Sequence, residues 1–63
     1  MIYVGKFSEQ DVVEKKDKRA VELAKFQNPG HMYVKCDMKK KRGKMYLEIW
    51  IATKDEYLSG NWI

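Results

Sequence analysis

Apolar and polar side chains alternate along two stretches near the middle of the chain. In the first, Met32, Val34, Cys36 and Met38 fall on one side and His31, Tyr33, Lys35 and Asp37 on the other. In the second, Met45, Leu47, Ile49 and Ile51 oppose Tyr46, Glu48, Trp50 and Ala52. A period of two is what a strand with one dry face requires, so His31 to Thr53 is predicted to be a β-hairpin. The linker is Lys39-Lys40-Lys41-Arg42-Gly43-Lys44. A four-residue loop, Lys40 to Gly43, with Gly43 at positive φ after a type I turn, closes it. That register sets Lys35 against Glu48, Tyr33 against Trp50 and Asp37 against Tyr46, with Val34 against Ile49 on the apolar side. A two-residue loop at Arg42-Gly43 would instead oppose Asp37 to Glu48, a like-charge pair. A shift by one residue would mix the faces. The four-residue loop is therefore the expected one.

Ahead of the hairpin, Ile2 to Phe7 reads as a first strand, with Gly5 weakening it or marking a bulge. Ser8 is a good N-cap, with Asp11 three residues on as a capping-box variant and Phe7 and Val12 placed as a hydrophobic staple. A helix is expected from Glu9 to about Gln27, its apolar stripe formed by Val12, Val13, Ala20, Leu23, Ala24 and Phe26. Asp11–Lys15 and Glu14–Lys18 have the favourable i,i+4 order. Lys16 falls inside the stripe, where it would have to snorkel, and Val21 falls outside it. Asn28-Pro29-Gly30 stops the helix. Thr53-x-x-Glu56 is a second capping box, opening one or two turns from Lys54 to Leu58 that end near Gly60. Asn61-Trp62-Ile63 then trails with two large apolar side chains. The sum is an α+β fold: one β-α-β-β domain spanning residues 1–63, a three-stranded sheet with one helix packed on one face and a short C-terminal helical turn. The helix is expected to cover the Met32/Val34/Cys36 and Leu47/Ile49/Ile51 face, making Leu23, Val34, Leu47 and Ile49 core residues with Cys36 beside them. Such an outline carries no function by itself.

Length changes the picture first. A chain of 63 residues buries only about 60% of its unfolded surface and tends to need help from disulfides, metal or a partner subunit. One cysteine rules out an internal disulfide, and no Cys/His cluster suits structural zinc, which leaves a homodimer as an option. The lone cysteine and the lack of a signal-peptide pattern point to a reducing, cytoplasmic setting. No apolar run approaches the roughly 18 residues of a membrane span. The net charge of +4 favours acidic partners.

Candidate chemistry is concentrated in the hairpin. Lys39, Lys40, Lys41, Arg42 and Lys44 put five cations into six residues, a pattern that suits phosphate contacts. The same pattern serves a solvated turn that discourages edge aggregation. Tyr33, Tyr46 and Trp50, with Lys35 beside them and Tyr3 nearby, fall on the face away from the helix, where bases could stack. Burial of that face, in a dimer or under the chain end, is the favoured expectation over an exposed platform. Lys15-Lys16-Asp17-Lys18-Arg19 is a second basic cluster, diluted by acids and read as a solvated, salt-bridged helix face. Cys36 reads as a small buried hydrophobe with an inert thiol. There is no Gly-rich phosphate loop, no Ser/His/Asp set and no metal-ligand spacing around His31, so neither an enzyme nor a cofactor is expected. The first reading is a non-enzymatic protein that contacts DNA or RNA through the basic tip. The alternative is a regulator or inhibitor of the small accessory or phage type, binding a larger, acidic protein through a sheet edge or exposed aromatics.

Overall fold

The computed structural model describes residues 1–60; the Trp62-Ile63 docking expected above lies outside the described residues. The order is β1 (Ile2–Ser8), α1 (Glu9–Val13), α2 (Lys16–Gln27), β2 (Tyr33–Lys41), β3 (Lys44–Ala52) and α3 (Lys54–Ser59). The sheet runs β1-β3-β2, with both outer strands antiparallel to β3. This is the expected α+β outline, and it places the last strand of the chain at the centre.

Both capping boxes form, because each needs only residues three apart. The Asp11 N–H donates to Ser8 Oγ at 3.2 Å and the Ser8 N–H to Asp11 Oδ2 at 3.0 Å. The Glu56 N–H donates to Thr53 Oγ1 at 3.2 Å and the Thr53 N–H to Glu56 Oε1 at 3.0 Å. The bonds from Ser8 hold the Asp11 carboxyl below its ordinary range. Gly60, at φ 73°, closes α3. Strand β1 does bulge, between Tyr3 and Gly5. A Cβ at Gly5 would lie 3.2 Å from the Phe7 ring, so the absent side chain is what lets that ring lie over the strand.

Three expectations are corrected. The hairpin closes through Arg42-Gly43, with Lys41 opposite Lys44, Asp37 opposite Glu48, Lys35 opposite Trp50 and Tyr33 opposite Ala52. Both turn residues have positive φ, 53° and 77°, as in a type I′ turn, whose twist matches that of the flanking strands. The like-charge pair that argued against this register is offset, since Lys39 Nζ lies 3.2 Å from Glu48 Oε1 and the Tyr3 hydroxyl donates to Glu48 Oε2 at 3.1 Å. The slip is by two residues, so every side chain keeps its expected face.

Secondly, the helix is not continuous. Lys15 adopts the left-handed conformation (φ 61°, ψ 25°) and separates α1 from α2. Neither Asp11–Lys15 nor Glu14–Lys18 pairs; Lys16 instead reaches Glu14 at 3.1 Å and Asp11 at 3.9 Å, outside the apolar stripe. The break rotates α2, which turns Asp17, Ala20, Val21 and Ala24 inward and leaves Leu23 at 57% and Phe26 at 85% exposure.

Thirdly, α2 packs mainly on β1 and β3 and meets β2 only across a groove lined by Asp17, Val21, Val34 and Cys36. Ile49, Ile51, Ala52 and Trp50 form the buried core, and Leu47 is half-buried. Met32, Val34 and Cys36, expected inside, are exposed. A crossover of two short helices covers about two strand widths, since a helix is about 10 Å across and strands lie about 4.8 Å apart.

Candidate nucleic-acid interface

The face of the sheet away from α2 is organised in rows across the three strands. Tyr3, Trp50 and Lys35 make one row; Lys6, Glu48 and Asp37 the next; Ser8, Tyr46 and Lys39 a third; and Lys44 and Lys41 complete the tip. The end of this face nearest the turn is basic. The end beyond Glu48 is aromatic.

The turn explains why the tip cations diverge. Alternation carries Lys39, Lys41 and Lys44 to the outer face with Tyr46, and carries Lys40 to the helix side. Lys41, Arg42, Lys44 and Tyr46 line a shallow depression. All four tip cations other than Lys39 are exposed and make no ion pair within the described residues. Lys39 is engaged by Glu48, which raises the Lys39 pKa and lowers that of Glu48. Lys6 sits 4.0 Å above the Tyr46 ring, a cation–π contact that adds a cation to the basic end. Sequence reading missed Lys6: only the bulge beside Gly5 brings it to this face, and that glycine was the available signal.

The expected aromatic platform is only partly present. Trp50 is 8% exposed and packs at 5.3 Å against Tyr3, so its indole face is not offered to a ligand. Tyr3 is 50% exposed. Burial, and then the bond to Glu48, raises its hydroxyl pKa. Tyr33 is stacked on Tyr57 of α3 at 4.5 Å, away from the tip. Lys35 lies in the Trp50 row, two rows from Tyr46. The structure thus groups Lys39, Lys41, Arg42, Lys44 and Tyr46 with Lys6, and sets apart Lys40, Lys35, Tyr33 and Trp50.

On the helix side, partial desolvation, then Asp17 and Asp37, raise the pKa of the Cys36 thiol, which disfavours the thiolate. Asp17, assigned from sequence to a solvated basic face, is buried, with Oδ1 unbonded. No helix of the described residues is long and apolar enough to cross a membrane. The chain matches no known protein family, curated protein or solved structure. What the fold and surface define is therefore a class, a small α+β protein with a basic end on its open sheet face.

Proposed function

We propose that this protein binds nucleic acid, DNA or RNA, with the basic end of its open sheet face. The observation that carries the reading is the cluster of Lys41, Arg42 and Lys44 around Tyr46, exposed and without acidic partners among the described residues. Cations of this density attract the phosphate backbone and release its counterions. Tyr3, half exposed, offers a ring to an unpaired base, and Lys6, seated over Tyr46, lies between it and the tip. Single strands suit a sheet face of this kind better than duplex, because only unpaired bases can reach the ring.

Anisotropy with a labelled single-stranded oligonucleotide tests it. Affinity should fall steeply between 50 and 200 mM salt. Replacing Lys41, Arg42 and Lys44 together with Ser should weaken binding for all sequences alike and flatten the salt slope by roughly one unit for every phosphate left without its cation. Lys40→Ser should do less, since that side chain points to the other face. A parent protein that does not bind at low salt, or a triple variant that binds equally well, overturns the reading in favour of a protein partner.

A further inference from the structure

We infer that two copies of this chain pair edge to edge through β2, antiparallel about Cys36, giving one six-stranded sheet. Such pairing does not depend on nucleic-acid binding. Strand β2 is an outer strand of nine residues, and it pairs with β3 along its whole length without a bulge. No described strand pairs with its outer side. The other outer strand, β1, is bulged, which spoils an edge for pairing.

The turn settles which groups face outward. With Lys41 and Lys44 as the hydrogen-bonded pair closing a two-residue loop, odd-numbered residues of β2 point N–H and C=O at β3, and even-numbered ones point them out. Val34, Cys36 and Met38 therefore present donors and acceptors to a partner strand. A two-fold axis normal to the sheet keeps the faces aligned, so residue i meets a residue of the same parity.

Charge selects among the three central registers. An axis at Asp37 opposes two aspartates and sets Lys35 against Lys39. An axis at Lys35 opposes two lysines. An axis at Cys36 sets Lys35 of each copy against Asp37 of the other, Val34 against Met38, and Tyr33 against Lys39. Asp37 has reason to accept that neighbour. It faces Glu48 across the hairpin, and it makes no ion pair among the described residues. Val34 is 41% and Met38 68% exposed in the single chain, and the pairing lays each against the other.

Sedimentation equilibrium of the parent, Asp37→Lys and Lys35→Asp/Asp37→Lys tests the register. The parent should sediment at twice the chain mass of 7.5 kDa. Asp37→Lys relieves the repulsion with Glu48, so the fold should survive, as circular dichroism will report. It places lysine against lysine twice at the axis, and dimer affinity should fall roughly tenfold. The double variant reverses both signs and should recover parent affinity. A parent that stays monomeric at millimolar concentration overturns the inference. So does a folded Asp37→Lys that dimerises like the parent, or a double variant that does not recover.

Discussion

Arg42 is the less comfortable half of the turn, because a residue with a Cβ at φ 53° bears a left-handed cost of about 1–2 kcal/mol that asparagine largely escapes. Arg42→Asn should therefore raise stability by up to about 1 kcal/mol in urea unfolding while weakening nucleic-acid binding, so that the two properties move in opposite directions. Glu56 is a second residue with a readable role. Its carboxylate accepts a hydrogen bond from the Met1 amino group as well as capping Thr53, and these hold its pKa down to about 2. In the unfolded chain it titrates near 4.5, so between these values the unfolded state binds more protons. The stabilisation is complete above about pH 4.5 and is lost as pH falls toward 2. A plot of Tm against pH should accordingly be flatter over that window in Glu56→Gln than in the parent. Equal acid limbs would show that the Met1 and Thr53 contacts together do not lower the Glu56 pKa.

At the level of elements, the break at Lys15 is the feature that sequence did not disclose. Residues 14–19 contain no glycine or proline, and all but Asp17 propagate a helix readily. A stripe drawn through 9–27 as one helix picks out Leu23 and rejects Val21, whereas α2 alone, started afresh at Lys16, buries the reverse set. Leu23→Gln should shift unfolding free energy by no more than about 0.5 kcal/mol. Ile49→Ala, at a site 2% exposed, should cost about 2–5 kcal/mol. Lys15→Gly removes the left-handed penalty and should stabilise by about 1 kcal/mol, measured by the same denaturant curves. Caps and strand faces were legible because they depend on neighbours two or three residues away. The register was misjudged because one cross-strand repulsion was weighed without the diagonal Lys39–Glu48 contact. For the candidate site, the tip cations were legible as a run, but their division between two faces was settled only by the turn.

For the whole molecule, a two-fold pairing about Cys36 sends the two tips to opposite ends of the sheet, roughly 40 Å apart at about 3.3 Å per residue. It also couples folding to association, so the thermal midpoint should rise with protein concentration; a midpoint constant over a hundredfold dilution would mark a self-sufficient monomer. The strand order has a separate consequence during synthesis. β1 and β2 are each bonded only to β3, which the ribosome makes after both. At about 5–20 residues per second, Ser8 leaves the catalytic centre roughly 2–7 s before Lys44 does. Throughout that interval β1 has no strand to pair with, and a nascent chain stalled before Lys44 has no sheet at all. Premature termination in the hairpin thus yields a fragment whose exposed Ile2, Phe7 and Val34 invite chaperones and proteases.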